Sequence, residues 1–162
     1  MKNISAQERI DDCLQELEKI HHMIEGMGKT SNPVPFLTKY AIIKACGTIE
    51  FCFKTVLADI HTGQSQQVKN YIDETFRRSS INPSKANICK SLEKFDVAWN
   101  AKFKKELGKL ANNQRIEQSL DSLNNARNQF AHGGHPGTTF DNIRTYFTDS
   151  VFIIEVLEKV IT

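Results

Sequence analysis

No stretch of this chain approaches the ~18 consecutive uncharged apolar residues that a membrane-spanning helix requires, so no membrane association is expected. Four prolines and eight glycines in 162 residues are too few to break the long runs of helix-forming residues more than occasionally. No segment carries the strict apolar–polar alternation of a half-buried strand, and neither an internal repeat nor a low-complexity tract is present. The four cysteines, Cys13, Cys46, Cys52 and Cys89, lie within or beside helical patterns and include no CxxC pair. Their spacing argues against a disulfide framework or a zinc site, and for buried, reduced thiols. The opening MKNISAQERIDDCLQELEK is acidic and amphipathic rather than basic and then apolar, unlike a secretory signal peptide. A cytoplasmic protein is expected.

What remains is a balanced composition, 40% hydrophobic and 25% charged, in a chain long enough to bury a core. One domain spanning residues 1–162 is expected. Ser5 and Glu8 read as a capping box opening a first helix, which carries Ile10, Cys13, Leu14, Leu17, Ile20, Ile24 and Met27 at three-and-four spacing and ends near Gly26 and Gly28. The TSNPVP segment reads as a loop, held extended by Pro33 and Pro35. A second helix, from about Phe36 to Ile60, is the most apolar element and the expected central one.

The polar HTGQSQ turn leads to a helix carrying Val68, Tyr71, Ile72 and Phe76, and Pro83 breaks the chain again. Two shorter patterns follow, one with Ile88, Leu92 and Phe95, the other with Trp99, Phe103 and Leu107. Residues 112–132 repeat Ile116, Leu120, Leu123, Arg127 and Phe130 at helical intervals, and a last helix opens with a Thr138–Asp141 capping pair. The fold class is all-α, an up-and-down bundle of four long helices with a smaller helical insertion.

The formal net charge is only +2, yet its distribution is uneven. Between Arg77 and Arg115 ten basic residues face only Glu93, Asp96 and Glu106, so the rest of the chain is net acidic. Such asymmetry suits either a polyanionic partner or an ordinary solvated lysine-rich face.

The stretch NNARNQFAHGG, residues 124–134, sets an arginine among core residues and stops on a histidine and two glycines. At 100° per residue Arg127 falls within about 40° of Ile116, Leu120 and Leu123 and about 60° from Phe130, in the middle of the apolar arc. An unpaired guanidinium there would cost several kcal/mol or more, so Arg127 either pairs with a carboxylate or lines a cleft built for an anion. An ideal helix would hold Arg127 and His132 about 140° apart. Either the glycines let His132 leave helical geometry, or a second copy of the chain supplies the other half of a site. A histidine at such an edge is suited to acid or base work near neutral pH.

Arg127, Asn128 and His132 in RNQFAHG resemble the R-x(4–6)-H signature of the HEPN superfamily, the higher eukaryote and prokaryote nucleotide-binding domains. The small Ala131 before the histidine, Gly133 after it, the late helix and the apolar second helix KACGTIEFCFK are similar to the group with RiboL-PSP-type HEPN domains. The resemblance implies a metal-independent, cofactor-free endoribonuclease that cuts single-stranded RNA by attack of a ribose 2′-OH on the neighbouring phosphate. It implies a homodimer with two motifs in one positive cleft, a toxin or antiviral defence role, and a neutralising antitoxin-type partner protein. In that scheme His132 is general base or acid, Arg127 stabilises charge on the phosphate, and Asn128 orients the histidine or the phosphate. The alternative is an inactive dimer of the same fold that serves as an RNA- or nucleotide-binding or protein-interaction module.

Glu50, alone in the apolar second helix, can pair with Lys54 one turn on or reach Arg127 as a supporting residue of the site. His132 and His135 form an H-x-x-H, but with no cysteine or carboxylate near it in sequence no metal site is expected. His21 and His22 read as structural residues of the first helix. Phe95, Trp99 and Phe103 interleave with lysines in a way open to base stacking, but their helical spacing favours packing.

Overall fold

Thirteen residues of one helix are buried, and that helix organises the molecule. In the computed structural model, which describes residues 1–61 and 63–162, it is α2 (Val34–Asp59). It follows α1 (Ile4–Met27) and is followed by α3 (Gln66–Ile72), which widens into a π turn over Asp73–Arg77, then α4 (Lys85–Phe95), α5 (Val97–Gly108), α6 (Asn113–Ala131) and α7 (Phe140–Ile161). The described residues are all-helical, with no strand. Of the HTGQSQ turn, Thr62 lies outside the described residues.

The central place expected for the second helix is the one found: α2 packs against α1, α6, α7 and the π turn. Being covered on most sides, it can be apolar nearly all round rather than striped. The Cys52 thiol donates to the Ala6 carbonyl and Lys44 pairs with Glu16, so α1 and α2 run antiparallel. The start of α1 is clamped to the end of α7, where Glu158 accepts the backbone N–H groups of Lys2 (2.8 Å) and Asn3 (2.6 Å). The α4–α5 pair leans on the far end of the bundle through α5 against α7 and α4 against α6. Phe53, Phe103 and Phe147 are among the largest fully buried side chains, each contributing on the order of 1.5–3 kcal/mol by leaving water.

Several boundaries differ from those expected. Asn3, rather than the Ser5–Glu8 pair, caps α1, its Oδ1 accepting from the Ala6 N–H at 2.9 Å. The end of α1 is where it was expected: the chain leaves the helix at Gly28, just past Gly26, with φ +89°, a left-handed value that favours glycine. Pro33 and Pro35 do not hold an extended loop. Pro33 is already helical (φ −70°, ψ −21°) and Pro35 sits in the first turn of α2, where a missing N–H leaves no helix bond unmade. At α7 the cap is Thr139, whose Oγ1 accepts from Asn142 N–H at 3.2 Å, not Thr138, and Asp141 pairs across the molecule with Lys29.

Leu14, Met27, Val68 and Tyr71 are exposed rather than core, because α1 and α3 lie at the margin and have neighbours on one side only. Phe95 stacks on Phe76 and tilts against Trp99, and Phe103 is fully buried, so these aromatics pack the insertion. All four cysteines are free and buried. No helix among the described residues is long and apolar enough to cross a membrane.

Candidate functional site

Helix α6 carries the site on its last two turns and is fixed by its first. Ile116, Leu120, Leu123 and Ala126 are buried. Asp149 of α7, almost wholly buried, accepts from Ser119 Oγ at 2.7 Å and from Arg115 at 2.8 Å. With α6 held in this way, the apolar spacing carries Arg127 to the margin between α6 and α2.

There Arg127 is half-exposed, and its guanidinium makes two polar contacts. One nitrogen lies 3.5 Å from Glu50 Oε2, and Nη1 donates to Asn128 Oδ1 at 3.2 Å. The other oxygen of Glu50 accepts from Lys54 Nζ at 2.6 Å. Both pairings open to Glu50 from sequence therefore occur at once: a single carboxylate is shared between Lys54 and Arg127. Behind them Cys46 donates its thiol hydrogen to the Leu123 carbonyl at 3.3 Å. Burial pushes that thiol up to about 12 even though Arg127 pulls it down, so it stands beside the arginine as a neutral group.

The helix stops in a defined way. His132 N–H still bonds to the Asn128 carbonyl at 3.1 Å, Gly133 turns left-handed (φ +78°), and Gly134 N–H returns to the Gln129 carbonyl at 2.9 Å. That six-to-one bond after a left-handed glycine is a Schellman closure. A Cβ at Gly134 would stand 3.0 Å from the Gln129 oxygen, and a side chain at Gly133 would be strained by its φ. The imidazole of His132 consequently projects from a fixed helix end and is exposed.

His132 and Asn128 line one open pocket together with Asn125, Gln129 and His135, and Arg127 does not line it. Arg127 faces α2 instead. Asn128 is the residue common to both halves: it accepts from Arg127 and opens onto the pocket of His132. Among the described residues no group of three or more His, Cys, Asp and Glu is placed to hold a metal ion, and His132 and His135 have no third such side chain with them. His21 stacks at 6.3 Å on Phe140 and approaches Glu25, and His22 approaches Glu18, both remote from this pocket.

The basic segment is partly answered from within. Arg77 pairs with Asp59 and Asp73, Arg78 with Glu74, Lys85 with Glu117, Lys109 with Glu106 and Arg115 with Asp149. Lys90, Lys104 and Lys105 have no such pair among the described residues and are exposed. Two neighbours of the site were not legible in the sequence. Lys39 of α2 lies over the Phe130 ring at 5.8 Å, and His135 lines the pocket of His132. Only the fold brings Lys39 to α6, and the H-x-x-H spacing points to metal chemistry rather than to a shared pocket wall.

Comparison with curated proteins and with solved structures returns no match. Comparison with family models returns RiboL-PSP-HEPN over residues 8–162, a span that takes in all of α2 and α6 and the whole of RNQFAHG. With an all-helical chain, an apolar central α2 and an arginine and histidine on the last turns of α6, the protein belongs to the RiboL-PSP-HEPN family.

Proposed function

We propose that this protein is an endoribonuclease that cleaves single-stranded RNA without a metal ion, using Arg127, Asn128 and His132. The observation that carries the reading is the joint between them. Asn128 holds the guanidinium of Arg127 while sharing an open pocket with the exposed imidazole of His132. A cation and a proton carrier beside one accessible surface are what phosphodiester transesterification requires.

In the proposed step His132 takes the proton of a ribose 2′-OH, and the oxygen attacks the adjacent phosphorus. The P–O5′ bond breaks as the P–O2′ bond forms, leaving a 2′,3′-cyclic phosphate and a 5′-OH. Arg127 neutralises the charge that gathers on the non-bridging oxygens, and Asn128 orients it. The 5′ oxygen needs a proton as it leaves, and His132 of a second copy supplies it across a two-fold interface.

The dimer also answers a geometric difficulty. Within one chain Arg127 turns to Glu50 and stays outside the pocket of His132. Two copies that bring the ends of their α6 helices together would set the arginine of one against the histidine of the other. The shared carboxylate of Glu50 keeps Arg127 ordered until a phosphate competes for it.

The decisive experiment incubates single-stranded RNA with the protein and with His132→Ala in EDTA, with sedimentation to give the assembly state. Cleavage by the parent alone, from a dimer, supports the reading. Equal RNA binding and no cleavage by either would replace it with an inactive binding module, and a monomer across micromolar concentrations would remove the shared site. A toxin or defence role with a neutralising partner protein predicts growth arrest on expression that His132→Ala relieves.

A further inference from the structure

Beside the pocket of His132, across the loop after α6, lies a second and deeper cavity of about 500 Å³. His135 lines both, so this loop is the wall between them. The floor is apolar, formed by Ile24, Ile42, Val34 and Phe140, while Lys29 and Lys39 stand among its polar lining residues. Thr138 also lines it, and its Oγ1 is buried without a hydrogen-bond partner among the described residues. A hydroxyl kept from water and left unpaired is destabilising, and a ligand group that bonded to it would recover that loss. The ammonium of Lys39 also rests 5.8 Å over the Phe130 ring on the last turn of α6.

We infer that this cavity is a nucleotide subsite. It takes one base of the RNA strand next to the cleaved phosphate, with the flat ring on the apolar floor, a ring heteroatom or exocyclic group on Thr138 Oγ1, and the flanking phosphate on Lys39. An apolar slot with a few convergent polar groups and a cation is what holds a base and its phosphate together. The volume leaves room for a nucleotide, and the wall shared through His135 sets the base one step from the pocket of His132. This assignment rests on the ribonuclease reading for its role, but binding can be measured without cleavage.

The test titrates the full-length protein with the four ribonucleoside 5′-monophosphates and with ribose 5-phosphate, by ligand-observed NMR, in parallel with Val34→Trp, Thr138→Val and Lys39→Ala. Circular dichroism checks that each variant is folded. At least one mononucleotide is expected to bind ten-fold or more tightly than ribose 5-phosphate. Val34→Trp fills the slot and should abolish that difference, and Thr138→Val and Lys39→Ala should each weaken binding three- to ten-fold. On RNA, Val34→Trp should lose base preference next to the cut. Equal binding of ribose 5-phosphate, or nucleotide binding unmoved by all three variants, overturns the proposal. So does a cleavage pattern unchanged in Val34→Trp, which would make the cavity a site for a free nucleotide. If no RNA is cut by the parent while nucleotide binding remains sensitive to Val34→Trp and Thr138→Val, the ribonuclease reading falls and the base-binding cavity stands.

Discussion

Two arginines on the same helix meet carboxylates in opposite ways. Arg115, near the start of α6, reaches Asp149, which is only 3% exposed and is also bonded by Ser119. Arg127, near the end, meets Glu50 at 3.5 Å, and Glu50 is 27% exposed and already engaged by Lys54. The first carboxylate has no route to water and must keep its donors, whereas the second can exchange one partner for another at little cost. One end of α6 is an anchor, and the other is where the proposed chemistry would take place.

The largest expected effect separates those ends by activity. His132→Ala and Arg127→Ala should each lower RNA cleavage by roughly 10²–10⁴-fold, the usual contribution of a positioned acid–base or charge-stabilising group. Neither should move the melting temperature by more than about 1–2 °C, because both side chains are exposed or half-exposed. Product-resolved assays beside calorimetry read both quantities. A variant of either residue that melts much lower while still cutting RNA would turn the chemical end into a second anchor.

Next in size is the reverse contrast. Asp149→Ala strips the buried Ser119 hydroxyl of its acceptor and removes the partner of Arg115, so about 2 kcal/mol of stability should be lost, or about 4–8 °C in Tm. Glu50→Ala should cost less than half as much, because Lys54 keeps the Ser79 carbonyl as an acceptor and Arg127 remains near water. Its effect should appear instead in cleavage, through a less ordered Arg127. Equal melting losses for the two would erase the distinction.

This contrast also marks what the sequence could reveal. The apolar arc through Ile116, Leu120 and Leu123 placed Arg127 among core positions, and the glycines marked where the helix ends; both readings need only local periodicity and chain stiffness. That Arg127 and His132 diverge followed from a helical wheel. Which carboxylate each arginine meets did not, because Asp149 and Glu50 arrive from other helices and their spacing in sequence carries no trace of it. The caps failed for a related reason. Ser5–Glu8 and Thr138–Asp141 are sound local pairs, but Asp141 is drawn to Lys29, and Asn3 is drawn into the N-terminal clamp by its own N–H to Glu158 and its amide to Asp59. Tertiary partners outbid local ones wherever two elements meet.

A third prediction sharpens the comparison at the helix end itself. Gly133→Ala forces a Cβ into the left-handed region at φ +78° and should cost about 1 kcal/mol, read as a fall of about 2–4 °C in Tm. The same change loosens the closure that sets the direction of His132. Cleavage should therefore fall further than the small loss of stability explains, whereas Gly108→Ala, in α5 with open space around its Cβ position and no such φ, should leave cleavage unchanged and raise the melting temperature slightly.

The smallest effect lies away from α6 and tests whether surface clusters elsewhere act as anchors. Glu106 of α5 accepts from Lys109 and, at 2.8 Å, from Lys159 of α7, and these two ammonium groups hold its carboxyl down to about 2 from an ordinary 4.5. A carboxylate depressed on folding contributes its stabilisation in full above the ordinary value and loses it as pH falls toward the depressed one. The window is thus between about pH 4.5 and 2. Replacing the residue as Glu106→Gln should leave the melting temperature at pH 7 slightly lower than that of the parent, and the gap should close as acid is added. Because Lys109 and Lys159 reach well into solvent, salt should shrink that gap at pH 7, while the effect of Asp149→Ala, buried beneath Arg115, should persist in the same salt.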